Sequence, residues 1–162
     1  MFLKRNNTST SEEISGWGQY PRVNVFKNKP RNIDELKKAI KTSSLIARGN
    51  GRSYGDSSIN KISTIDMKNF NKFLFFDESK GLLVAEAGVL LKDVLDIFLP
   101  KGWFPAVTPG TKFVTIGGMV AADVHGKNHK NSGSFGNYVN WIEIMNIDGE
   151  IVRCSREENS DL

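Results

Sequence analysis

A chain of 162 residues has room for one ordinary domain with a substantial core. Hydrophobic residues at 39% and charged residues at 25% exclude a disordered polypeptide, and the lone Cys154 excludes an internal disulfide framework. The net charge of +4 selects no anionic partner by itself, two histidines are too few for a multi-histidine zinc site, and no apolar run is long enough to cross a bilayer.

Met1 to Ser15 is polar where a signal peptide would be apolar, so secretion by that route is not expected. Residues 1–14 read as a flexible arm, and 15–162 as the folded part. Val23, Val25 and Phe26 predict a short strand closed by Pro30. Asp34 to Thr42, with Leu36, Ala39 and Ile40 at helical spacing, predicts a helix capped by Asn32. Leu45-Ile46-Ala47 is a compact strand that runs into a glycine loop. Ile62 to Met67, Phe73 to Phe76 and Leu82 to Ala87 predict three more strands. Leu90 to Leu99 places Leu91, Val94, Leu95 and Phe98 on one helical face, and Pro100 and Gly102 end it. Tyr138 to Ile147 and Ile151 to Cys154 flank Asp148-Gly149, the signal for a two-residue hairpin turn. The class is α+β: a small α/β subdomain, then a mainly antiparallel sheet with helices. Glu157 to Leu162 supplies no closing element, so that sheet is expected to be incomplete at the C-terminus.

Chemistry concentrates in two glycine-rich stretches. The first, Arg48-Gly49-Asn50-Gly51-Arg52-Ser53-Tyr54-Gly55-Asp56, can turn successive main-chain N–H groups toward an anion, with two arginines nearby. Its glycine spacing is that of neither a dinucleotide-binding Rossmann loop nor a Walker loop. On composition, a structural turn and an anion site stand level. Six of the fifteen glycines (Gly110, Gly117, Gly118, Gly126, Gly133, Gly136) crowd the second stretch, where Thr115 can cap a short helix carrying Met119 to Ala122. Asp123, His125 and His129 would leave a metal underfilled, so no metal is expected. Phe73 to Phe76, Trp103 and Trp141 read as core. Lys37, Lys38 and Lys41 read as a solvated helix face rather than a nucleic-acid surface, and Cys154 as a buried, inert thiol.

Taken together the stretches are more specific. The string ARGNGRSYGDSSIN (47–60), then PGT (109–111) and TIGGMVAADVHGKNHKNSGSFGNYV (115–139), resembles the FAD-binding domain of the vanillyl-alcohol-oxidase or PCMH-type flavoproteins. The likeness starts at Ser15-Gly16-Trp17-Gly18 and is greatest to the branch that oxidises a ribose carried on decaprenyl phosphate. It implies the N-terminal portion of an FAD-binding domain, with the remainder and a substrate domain outside this chain. By that resemblance Ala47, Arg48, Gly49, Asn50, Gly51, Arg52, Ser53, Tyr54, Gly55, Asp56 and Ser57 wrap the FAD pyrophosphate. Gly110 and Thr111, then Thr115, Ile116, Gly117 and Gly118, form a second clamp. Ala122, Asp123, Val124 and His125 pass beside the isoalloxazine, while Tyr54, Gly126 and Lys127 border the substrate pocket. Many members hold FAD covalently through a histidine where this chain has Arg52, so noncovalent FAD is expected.

The implied activity is cell-wall sugar oxidation of a secondary alcohol to a ketone by an FAD-dependent oxidoreductase acting on CH-OH groups. The implied partners are a small-molecule or lipid-linked sugar substrate and a nicotinamide-dependent reductase, with no nucleic acid and no transmembrane segment. The catalytic base is unassigned and expected beyond Leu162, with His125 as a candidate for orienting flavin or substrate. The expected location is the cytoplasm, any membrane association coming through substrate or partner. Two rivals are a folded fragment without flavin binding or activity and a basic binding module.

Overall fold

The computed structural model of the protein describes residues 10–41 and 44–162. β1 (Thr10–Ile14) and β2 (Val23–Asn28) pair antiparallel, with Glu12 opposite Val25 and Ile14 opposite Val23. β2 and β3 (Ile46–Arg48) both run parallel to β4 (Thr64–Asp66), giving the order β1-β2-β4-β3. Between β2 and β3 lies α1 (Ile33–Ala39), whose Asn32 cap accepts a hydrogen bond from the Glu35 N–H at 2.9 Å. Asp34 and Glu35 in its first turn and Lys37 and Lys38 in its last complement the helix dipole. Leu36 and Ile40 reach Ile65 and Phe70 to form the first core, leaving Lys37, Lys38 and Lys41 exposed. Thr42, the expected end of that helix, lies outside the described residues.

A second core forms on the hairpin of β5 (Phe73–Asp77) and β6 (Leu82–Ala85). Val89, Met119 and three residues of α2 (Leu91–Phe98), namely Leu91, Val94 and Phe98, fill it. An irregularity in the β5 register between Phe73 and Phe75 turns Phe73 and Phe76 toward Phe98, with ring centroids 5.5 and 4.4 Å away. Leu74 and Phe75 point outward, about 60% exposed, so the cluster expected to be core is only half buried. α3 (Ile116–Ala121) and α4 (His129–Ser132) follow, then the hairpin of β7 (Trp141–Met145) and β8 (Ile151–Ser155), in which Cys154 is buried. The antiparallel half is two separate hairpins among the described residues rather than one sheet. The β7–β8 turn uses three residues, not two: Asn146 and Glu150 pair, and Gly149 sits left-handed at φ 83°. The reason is Asn146, whose Oδ1 accepts both the Asp148 and Glu150 N–H groups and so holds the longer turn.

Thr10–Ile14, expected within a flexible arm, is strand β1, held by its ladder to β2 and the burial of Ile14. The rest of the expected arm, residues 1–9, lies outside the described residues. Across β2 and β4, Lys27 Nζ meets Asp66 Oδ2 at 3.1 Å, with both side chains under one-tenth exposed. Asp66 also accepts the Lys68 N–H through Oδ1 at 3.1 Å. A buried pair costs little when replaced whole and much when halved, because the surviving charge has no water to solvate it. Lys27 Nζ also lies 3.5 Å from Glu12 Oε1, so Asp66→Ala leaves it one partner and is expected to lose about 1–3 kcal/mol in urea unfolding. The joint change Lys27→Met with Asp66→Leu should lose less than half as much.

Candidate functional site

β3 releases the chain into the first glycine loop at the carboxyl end of the parallel strands, where open α/β sheets bind ligands. Gly49 lies directly against Thr115, and a methyl group there would overlap Thr115 Oγ1. Thr115 is the cap of α3, its Oγ1 accepting the Gly118 N–H at 3.2 Å. Asn50 Nδ2 donates to the Phe113 carbonyl at 2.8 Å. The two glycine regions are thus one structure. A third wall comes from the N-terminal side: the Trp17 N–H donates to the Ser53 carbonyl at 2.8 Å. Gly16 packs so closely that a Cβ would sit 2.5 Å from the Gly55 carbonyl oxygen.

The two arginines of the loop are placed oppositely. Arg48 is buried and directed inward, Nη2 donating to the Ser15 carbonyl at 2.6 Å and Nη1 to Ser58 Oγ at 3.0 Å. Burial pulls its pKa down, opposed by the charges of Asp66 and Glu12. Arg52 lies against two rings, its guanidinium carbon 4.9 Å from the Trp17 centroid and 5.6 Å from that of Phe113. Its Nε is buried with no hydrogen-bond partner. Among the described residues Arg52 forms no ion pair, and the main-chain N–H groups of Gly49 to Gly55 donate to no protein acceptor. Within the loop, Ser53 Oγ and Ser58 Oγ lie 2.9 Å apart, Ser57 Oγ donates to the Tyr54 carbonyl, and Ala47, Tyr54 and Asp56 are exposed.

The second region is arranged differently. The N–H groups of Ile116 and Gly117 donate to the Val89 and Ala87 carbonyls, both at 2.8 Å, and that of Gly118 goes to Thr115. The start of α3 therefore offers a ligand the open surface of Gly118 rather than donors. Gly110 is open, and Thr111 Oγ1 accepts the Phe113 N–H. Beyond α3, Ala122, Asp123, His125 and Lys127 are exposed, with Val124 turned to the second core. Gly126 packs on the Thr108 carbonyl, which brings the 108–111 and 125–127 segments side by side. His129 Nδ1 lies 3.1 Å from the Gly126 carbonyl, and the His125 and His129 ring centroids are 5.5 Å apart. Asp123 accepts the Gly136 N–H at 2.8 Å. The Ser134 hydroxyl and that N–H, aided by the His125 charge, hold its carboxyl below the usual range. Among the described residues no three His, Cys, Asp or Glu groups gather around a metal position.

Among the described residues the contacts bring Gly49 and Asn50 to Thr115 and Phe113, and Gly126 to Thr108, while the Arg48 guanidinium serves the interior and no contact draws Tyr54 or Ala122 into that seam. Trp17 entered only as part of a matching tetrapeptide and Phe113 not at all. Neither sits in a periodic pattern, and only the folded chain brings them to Arg52.

The profile of the family described as FAD binding domain matches residues 28–155. The chain belongs to that FAD-binding family. It is 35% identical over 150 residues to decaprenylphosphoryl-beta-D-ribose oxidase of Mycolicibacterium smegmatis, covering 88% of this chain and 33% of the relative. It is 30% identical over 142 residues to an FAD-linked oxidoreductase of Penicillium janthinellum, covering 83% of this chain and 31% of that protein. A solved structure of a BBE-like 1 variant from Physcomitrella patens superposes with a TM-score of 0.68 at 19% identity, covering 83% of this chain and 31% of that one. The fold is that of PCMH-type flavoproteins. The chain spans about a third of the length of these proteins. FAD fits the residues present, because the first loop carries a run of unengaged amides, the donor set a diphosphate requires, and the uncompensated charge of Arg52 lies in that loop.

Two consequences are measurable. Gly49→Ala forces Thr115 out of its capping position and should cost about 1–3 kcal/mol, read as a lowered Tm. The depressed pKa of Asp123 contributes stability that is present above the ordinary carboxyl pKa and lost as pH falls through the lowered value. Asp123→Asn should flatten that acid limb in a Tm-against-pH profile from about pH 6 to 2.

Proposed function

We propose that this chain is the N-terminal FAD-binding part of an oxidoreductase that converts a secondary alcohol of a sugar, carried on a lipid phosphate, to a ketone. The reading is supported by the family match and by the likeness to an oxidase of decaprenylphosphoryl-ribose. The observation that carries it is the unpaired Arg52 charge in the seam between the two glycine regions.

The Gly49 to Gly55 amides would hold the cofactor diphosphate by direction, and Arg52 would bring its charge to the flavin at the loop position where many members carry a histidine. Gly110 and Thr111 follow the ribityl chain, and Thr115 to Gly118 supplies a flat floor. The exposed small surface of Ala122 with the backbone of Asp123, Val124 and His125 leaves room for a planar ring system. When bound, FAD supplies the acceptor for the hydride of the carbinol carbon. Tyr54 and Lys127 present hydroxyl and ammonium groups to the sugar at the rim, Gly126 keeps the approach open, and His125 orients what lies between them. A keto sugar is a substrate for a nicotinamide-dependent reductase, the partner class this product implies. Arg52 has no nucleophilic nitrogen at working pH, so flavin is held without a covalent bond.

Titrating the purified chain into FAD tests this reading: saturable quenching of flavin fluorescence is expected, and acid precipitation should leave the flavin in the supernatant. Unquenched flavin favours a folded fragment without cofactor, and colour retained in the pellet refutes noncovalent attachment.

A further inference from the structure

The segment from Val124 to Phe135 is tied at its base and along its length. His125 forms an antiparallel bridge with Ser134, and the Phe135 N–H donates to the Val124 carbonyl at 2.8 Å. Gly126 packs on the Thr108 carbonyl, and Asn128 Nδ2 donates to the Ala106 carbonyl and to Ser132 Oγ, each at 3.0 Å. Two imidazoles stand on this turn. The Gly126 carbonyl takes both the main-chain N–H of His129 and its ring Nδ1, each at 3.1 Å. A carbonyl oxygen only accepts, so Nδ1 carries the proton and the neutral ring keeps Nε2 bare. His129 is thereby anchored through backbone and ring together. The His125 ring, by contrast, is exposed and makes no hydrogen bond among the described residues. The Asp123 carboxylate feels the His125 charge but is engaged by the Gly136 N–H and the Ser134 hydroxyl. What the His125 ring touches is His129, with centroids 5.5 Å apart and planes at 66°.

We infer that His129 is a positioning residue for His125: its anchored ring selects one rotamer of the His125 imidazole. This rests on the reading above, in which His125 orients the sugar, and adds what orients His125. An exposed side chain exchanges rotamers within picoseconds to nanoseconds, and a group that places a substrate loses that ability when averaged over them. An edge-to-face ring contact favours one rotamer about two- to tenfold over its alternatives. The contact selects a rotamer only because the second ring is itself held, which the Gly126 carbonyl ensures. In the rival account His129 merely ties the turn through Nδ1–H, and its ring has no effect on His125.

The test compares the full chain as wild type, His129→Ala, His129→Phe and His129→Asn by NMR. Phenylalanine keeps a ring without the Nδ1–H, and asparagine keeps a donor without the ring. The His125 rotamer is read from three-bond couplings across χ1, the pairing from ring-to-ring NOEs, and the tautomer from long-range proton–nitrogen spectra. The wild type should show a dominant His125 rotamer, NOEs between the two rings, and a protonated Nδ1 with a bare Nε2 on neutral His129. The couplings should average in His129→Ala and His129→Asn, whereas His129→Phe should keep most of the preference. Averaged couplings or a bare His129 Nδ1 in the wild type overturn the inference. So does a rotamer unchanged in His129→Ala or His129→Asn, or lost in His129→Phe. Where a variant does not fold, the wild-type couplings and tautomer decide. Flavin quenching of the same wild type tests the underlying reading separately: a chain that takes no FAD removes that reading, and the His125 couplings still decide the positioning.

Discussion

The guanidinium of Arg52 lies against the rings of Trp17 and Phe113 with no ion-pair partner among the described residues, at the seam where the two glycine regions and the N-terminal segment meet. Folding an unpaired cation into a half-buried seam costs free energy, and the aromatic faces offset only part of it. The cost is borne because three distant pieces of chain meet there: the N-terminal segment at Trp17, the loop after β3 and the segment before α3. The same close approaches explain the glycines. Gly16 and Gly49 stand where a Cβ would strike a carbonyl or the Thr115 hydroxyl. Larger residues would hold the three walls apart and leave Arg52 in open water, where screening weakens any single charge.

Arg48, four residues earlier, shows what the same residue type does when its charge is internal. It spends its donors on the Ser15 carbonyl and on Ser58, closing the base of the loop against the segment that carries Trp17. Composition cannot separate these roles, since both arginines flank the same glycines. The separation comes from β3, whose alternation turns Arg48 inward beside Asp66 on β4. Arg52 lies beyond the strand, where no such alternation applies.

How far the sequence was legible follows from the range of the forces involved. α2 was readable because Leu91, Val94, Leu95 and Phe98 repeat at helical spacing, and α1 because Asn32 caps it locally. β1 was not, since Thr10-Ser11-Glu12-Glu13 shows no apolar alternation: it is an edge strand specified by its partner β2. Half of the Phe73 to Phe76 cluster was misread because the β5 irregularity, not the composition, decides which rings face Phe98. The hairpin turn was placed correctly and sized wrongly, for Asn146 was not weighed as the acceptor that holds it open. At the site, the loops were visible from their residues, whereas the stack on Arg52 joins three separated stretches and leaves no local trace.

The two glycine regions also divide the work, although their compositions look alike. In the second, the amides of Ile116, Gly117 and Gly118 are consumed by Val89, Ala87 and Thr115, which ties α3 to the second core. Those bonds fix shape and leave little to recognise an anion. In the first, the amides from Gly49 to Gly55 carry no such duty, and the arginine charge sits with them. On the proposed flavin reading, charge recognition would fall to one loop and steric fit to the other. A substitution in the first should change how strongly an anionic ligand is held, and one in the second how well its planar part is accommodated, even though Gly49 and Thr115 touch.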